Sequence, residues 1–355
     1  MHYLVVFLLA IAAGGCSNVG YYLQSVSGQL DIWRRERPID EIVGDPAAPA
    51  PLRDKLAKVL EMRRFASAEL GLPDDGSYTR YADLERQFVV WNVFATPEFS
   101  MRPLQWCFPI AGCVSYRGYF AREDAERFAA TVAAEGNDVF VGGVPAYSTL
   151  GWFADPVLNT FIHYPEHRIA RLIFHELSHR MVYAPGDTVF NESFAVAVEQ
   201  VGVARCLERH GTERARQASE REQAYRQDFI DLVQRYHRRL TELYDGGLEA
   251  AAMRKRKNEA IDEMLRDYGR LKGQWGGFEG YDAWFARRPN NAQIASVAIY
   301  TRLVPAFRAL LRQEQNDLPR FYAAARKLAA MPKKARTAAL ERLQQAALEA
   351  PAPIM

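Results

Sequence analysis

His175, Glu176 and His179 form the pattern H-E-x-x-H. Residues four apart on an α-helix share one face about 6 Å apart along the axis, so two imidazoles can converge on a single point. Two imidazoles leave a zinc-like ion short of protein ligands. A carboxylate from elsewhere commonly supplies the third while one position stays open to water, and Glu192, separated from His179 by twelve residues, is the candidate. Glu176, next to the first histidine, can reach that water and take its proton, which is the chemistry of metal-assisted hydrolysis. Leu172, Ile173, Phe174, Leu177, Met181 and Val182 make the surrounding helix largely apolar, so the histidines are semi-buried. Two buried imidazoles beside a carboxylate leave polar groups to satisfy unless they share a partner. One zinc ion is the cofactor expected.

The elements that must hold these residues follow from the flanking sequence. Ala184, Pro185, Gly186 and Asp187 predict a turn, and Asp187 or Thr188 can cap a second helix ending near His210, before Gly211. The spacer fits the end of one helix, a turn and the start of another lying antiparallel beside it. Ala195 and Val196 are small enough to let the two helices approach. Glu199 falls two turns beyond Glu192 on the same face, where it either holds the outer nitrogen of a ligand histidine or is a charge at the helix flank. His163 and His167 are also four apart, but Pro165 between them breaks the helix that would align them, so they read as loop or helix-entry residues.

The chain has 355 residues, 49% of them apolar, enough for one large domain or two moderate ones. A formal charge of +2, with no basic cluster interleaved with aromatics, excludes nucleic acid as the expected partner. Helices are expected over residues 21–37, 52–70 and 121–135, and strands over 87–96 and 138–144. The stretch 145–152, PAYSTLGW, reads either as a strand facing the metal helix, able to bind an extended peptide through its backbone, or as an ordinary turn. From Thr212 the pattern is all helical, over 212–244, 248–271, an apolar stretch 290–311 that should pack back on the first half, and 318–348. The fold class expected is α+β, predominantly helical, with a small β-sheet in the N-terminal half and a helical C-terminal half. The divisions are 1–16, a core over 17–210, a helical region over 211–349 and a loose tail over 350–355.

Residues 4–13 form an apolar run of ten, too short for a comfortable membrane span and right for a secretory signal, leading to Gly14, Gly15 and Cys16. This resembles a bacterial lipobox. Cleavage before Cys16 would leave that residue carrying a lipid anchor, and Ser17 after it fits release to the outer membrane; an ordinary cleaved signal is the other reading. Export makes a disulfide between Cys107 and Cys113, which bracket the loop-like FPIAG, the favoured reading, with Cys206 a buried free thiol.

HELSH at 175–179 followed by NESFA at 191–195 resembles the gluzincin metallopeptidases, where H-E-x-x-H is joined by a glutamate from a downstream N-E-x-x-A motif. Asn191, Glu192 and Ala195 match that motif. Through WCFPIAGCVSYRGYF at 106–120, GVPAYSTLGWFADPVLNT at 143–160 and Asn290, Asn291 and Ala292, the whole chain after residue 16 resembles a bacterial family of predicted aminopeptidases that are exported, often as lipoproteins. The resemblance implies His175, His179 and Glu192 as zinc ligands, Glu176 as base, a peptide as substrate, and a place on the periplasmic side of the cell envelope. The spacer is shorter than in the better-known gluzincin aminopeptidases, and PAYSTLGW lacks the acidic residue with which they hold a substrate amine; Asp155, Glu166 and Glu199 are alternatives. For the donor to the oxyanion Tyr300 is expected, with Tyr147 and Tyr119 competing. An endopeptidase or cell-wall peptide hydrolase, and an envelope-anchored binding or assembly protein with a structural metal, are the rival readings.

Overall fold

A computed structural model describes residues 16–108, 112–146, 149 and 153–349 and, for 16–19 and 347–349, the backbone alone. The expected signal segment, the side chain of Cys16, Tyr147 with most of the 145–152 stretch, and the tail 350–355 lie outside the described residues.

Helix α1 (Cys16–Arg35) leads through strand β1 (Glu36–Pro38) to helices α2 (Ile39–Gly44) and α3 (Ala50–Ala68). Then come β2 (Arg80–Ala82), β3 (Val90–Pro97), β4 (Trp106–Phe108), β5 (Gly112–Val114), β6 (Arg117–Tyr119), α4 (Arg122–Ala134), β7 (Asn137–Val144), β8 (Val157–Leu158) and α5 (Asn159–Ile162). Helices α6 (Glu166–Ser178) and α7 (Thr188–His210) carry H-E-x-x-H and Glu192. The rest is helical: α8 (Glu213–Asp245), α9 (Ala250–Gln274), α10 (Asp282–Phe285), α11 (Asn291–Thr301), α12 (Val304–Gln313), α13 (Leu318–Ala329) and α14 (Lys333–Glu349). The class is α+β and mostly helical.

Instead of one small sheet, the described residues form two of three strands each, ordered β1-β2-β8 and β6-β3-β7, and a β4-β5 hairpin. The first sheet escapes the sequence pattern because its strands have only two or three residues, too few to show alternation. In the second, β3 pairs antiparallel with β7 from Val90↔Val144 to Pro97↔Asn137. Its alternation serves two layers. Val93 is buried against Ala125 and Ala129 of α4, while Phe94 packs on Ala292 and Ile299 of α11, so this sheet lies between an N-terminal and a C-terminal helix. The apolar stretch 290–311 is two helices rather than one, interrupted where Pro305 opens α12. It is long and apolar enough to cross a membrane but mostly buried inside the fold.

The largest core joins both sides of residue 211. Ile173 and Phe174 of α6 and Phe190 and Phe194 of α7 share it with Phe307, Phe321 and Leu340. A second core forms between α8, α9 and α11 around Val233, Met264 and Ile294. One buried ion pair fixes the start of α7. Asp187 caps the helix by accepting from the Phe190 amide, and its other oxygen accepts from Nε and Nη2 of Arg336 on α14 at 2.9 and 2.8 Å. Truncating one member of such a pair strands the other's charge. Arg336→Met should therefore cost about 3–5 kcal/mol in chemical denaturation.

Cys107 and Cys113 face each other across the β4-β5 hairpin and are joined by a disulfide. Gly112 of this hairpin has φ +72°, and a Cβ there would come within 2.8 Å of the Gly186 amide nitrogen. The stapled hairpin thus rests on the turn between α6 and α7, at a contact only glycine permits. Cys206 is free and part-buried, and burial pushes its thiol up to about 11.

Candidate active site

Helix α6 is two-faced. Ile169, Ala170, Ile173, Phe174 and Leu177 are buried in the core, which turns Arg168, Arg171, His175 and His179 to the other side, into a cleft of about 1050 Å³. His179 is the helix C-cap but keeps helical backbone angles, φ −59° and ψ −21°, so the i to i+4 geometry is retained. Asn191 then locks the turn: its side chain accepts from the Ala184 amide at 2.8 Å and donates to the Ala184 carbonyl at 3.0 Å. Ala195, wholly buried one turn on from Glu192, adds no bulk to α7, and the helix brings Glu192 to the histidines.

His175 Nε2 and His179 Nε2 lie 3.2 and 3.7 Å from the same oxygen, Oε2 of Glu192. These three groups place one ligand atom each within 4.8 Å of one another. Ligands about 2.0–2.1 Å from a tetrahedral ion are separated by about 3.3 Å, so the donor set fits a zinc-like ion. It fits a hydrogen-bond network less well, because the longer contact exceeds hydrogen-bond reach. His175 Nδ1, on the far side of its ring, lies 2.9 Å from Glu199 Oε2, and Oε1 of Glu199 accepts from Arg226 at 2.7 Å. That arrangement fixes the ring's orientation and the tautomer that leaves Nε2 free to ligate.

Carboxylates crowd this space. Burial pushes Glu176 up to about 8, with His175 opposing and Glu192, Asp155 and Glu199 adding to the rise. Burial also acts to raise Glu199, but Arg226 and His175 hold it down at about 2. His179 is pushed down to about 4 by burial. Glu199 is thus ionised wherever the protein is folded near neutrality, and it serves His175 as a fixed negative charge. Glu199→Gln should weaken metal binding about 10–100-fold, as read by competition with a chromophoric chelator.

The other residues singled out from sequence are placed as follows. Tyr300 of α11 lines the cleft. Tyr119 is packed against Val93 and Ala125 and is not among the cleft-lining residues. Asp155 is buried, accepting from the Thr149 amide at 3.2 Å, and Glu166 is exposed in the first turn of α6; neither lines the cleft. His163 caps α5, while His167 sits 2.9 Å from Glu222; neither belongs to the three-residue group. Two tyrosines absent from the oxyanion expectation, Tyr116 and Tyr183, line the cleft. Tyr116 packs with Phe94 and Tyr300 in one cluster. Burial first and Glu192 second keep the phenols of Tyr116 and Tyr300 well above their ordinary range, so both remain protonated donors. At the other wall, Val26, Leu30 and Trp33 of α1 and Phe153 present apolar surface to the cleft.

The chain belongs to the putative aminopeptidase family, whose model matches residues 20–340. No curated protein and no solved structure matches it.

Proposed function

We propose that this chain is a zinc-dependent peptidase of gluzincin-like construction, acting as an aminopeptidase in the bacterial cell envelope. The observation that carries this reading is the meeting of His175 Nε2, His179 Nε2 and a Glu192 oxygen in a cleft that Glu176 also lines. A divalent ion held there supplies Lewis acidity, easing deprotonation of water and polarising a carbonyl. Glu176 takes the proton of the attacking water on its carboxylate and passes it to the leaving nitrogen. Glu199 keeps the His175 ring in place while charge shifts around it.

Tyr116 and Tyr300 donate to the carbonyl oxygen as it gains negative charge. Both rings pack in one apolar cluster at the edge of the cleft, which leaves them little freedom to reorganise. Loss of one such donor costs about 10²–10³ in rate. Tyr116→Phe should lower kcat by about 10² with little change in KM, as measured by steady-state kinetics.

A peptide library offered with free and acetylated amino termini tests the class. Removal of the first residue from free peptides alone supports an aminopeptidase, and cleavage of acetylated peptides supports an endopeptidase or cell-wall peptide hydrolase. No cleavage at full metal occupancy overturns the enzymatic reading in favour of an anchored binding protein. The envelope location rests on the signal-like residues 4–13 and on Cys16 as the lipidated residue. Mass spectrometry of the mature amino terminus would show an acylated Cys16, and recovery of an unprocessed Met1 would refute export.

A further inference from the structure

Beyond His175 the cleft ends in a cluster of guanidinium groups. Arg171 and Arg168 stand one and two turns before His175 on α6, Arg226 comes from α8, and all three line the cleft with Tyr281. Two carboxylates stand among them. Glu222 accepts from Arg168 Nε at 2.8 Å and from Arg171 at 3.4 Å, and Glu199 accepts from Arg226 at 2.7 Å. Three positive charges therefore face two negative ones, and arginine does not shed its proton to relieve the imbalance. Arg171 Nε is buried with no hydrogen-bond partner among the described residues; Oε1 of Glu199 is 3.8 Å away. A guanidinium short of acceptors is costly, and because Arg171 lines the cleft an anion placed against its accessible edge offsets the unbalanced charge. An ammonium group would be repelled, so this end of the cleft does not suit a substrate's amino terminus.

We infer that the Arg171–Arg226 end of the cleft binds a carboxylate of the substrate, so that the enzyme acts on short peptides ending near the scissile bond. This rests on the peptidase reading for the bond cleaved, though not for the anion bound. The size limit follows from the geometry. Glu199 bridges His175 Nδ1 and the Arg226 guanidinium through contacts of 2.9 and 2.7 Å, so even with the width of the imidazole added the guanidinium lies within about three extended residues of the metal-facing Nε2, at about 3.5 Å each. A carboxylate held there belongs to the chain terminus or to an acidic side chain next to the cleaved bond.

The test uses zinc-loaded Glu176→Gln, which binds without turnover, and calorimetric titration with leucyl-alanine, leucyl-alanine amide and leucyl-glutamic acid α-amide. Leucyl-alanine should bind about tenfold or more tightly than its amide. Tight binding of the glutamic acid α-amide would assign the anion to a side chain, and weak binding would assign it to the terminus. Arg171→Gln should bring the acid-to-amide ratio close to one, and Arg171→Lys should restore part of it. Equal binding of acid and amide, or an equal loss for both on Arg171→Gln, overturns the inference. If wild-type enzyme cleaves no peptide while the binding preference persists, the peptidase reading falls and the carboxylate site stands.

Discussion

Replacing Glu176 by Gln should lower peptide hydrolysis about 10³-fold, within the span usual for loss of a positioned proton acceptor, while leaving the bound metal in place. The amide keeps the size and hydrogen-bonding outline of the carboxylate but cannot take a proton. Glu176 is not among the three groups whose ligand atoms converge, so the variant should retain one ion per chain. Its stability should be unchanged or higher, because Gln carries none of the desolvation cost that pushes the Glu176 carboxyl up. Elemental analysis, a melting curve and kcat on the same preparation check all three parts. A variant that loses rate and metal together would make Glu176 a ligand rather than a base.

The second large effect is expected at Glu192. Glu192→Ala removes the oxygen that both imidazoles face at 3.2 and 3.7 Å. Outer partners of a ligand typically account for 10–100-fold in affinity, and loss of a ligand itself should exceed that, about 10³-fold. His175 is left without its Glu192 acceptor and buried His179 without the nearby negative charge, which should also cost about 1–3 kcal/mol in chemical denaturation. Glu192→Gln separates the contributions, since it keeps the packing and a neutral oxygen. Chelator competition on the two variants should rank them wild type, Gln, Ala. Equal metal affinity in all three would remove Glu192 from the ligand set.

What could be read from sequence was the part written in short-range spacing. The i to i+4 histidines, the turn at Ala184–Asp187, the Asp187 cap and the approach of α7 all depend on neighbours within thirty residues, and each has a local physical cause. Asn191, noticed only as part of a motif, turns out to clamp the Ala184 backbone. What could not be read depends on partners far along the chain. Arg226 reaches Glu199 across 27 residues, and Phe94, Tyr116 and Tyr300 meet only because β3 packs on α11. Tyr116 and Tyr119 lie three residues apart and have opposite fates, since Tyr119 belongs to β6 and faces α4 while Tyr116 precedes that strand and faces the cleft. One signal for the arginine cluster was present: Arg168 and Arg171 precede His175 at helical spacing, on the side that bears the ligands.

Metal titration of the chelator-treated protein, with peptide cleavage followed at each addition, tests the central claim most directly. Cleavage should rise in proportion to bound zinc and level off at one ion per chain. Cleavage by the metal-free protein, or full occupancy without cleavage, would contradict the account.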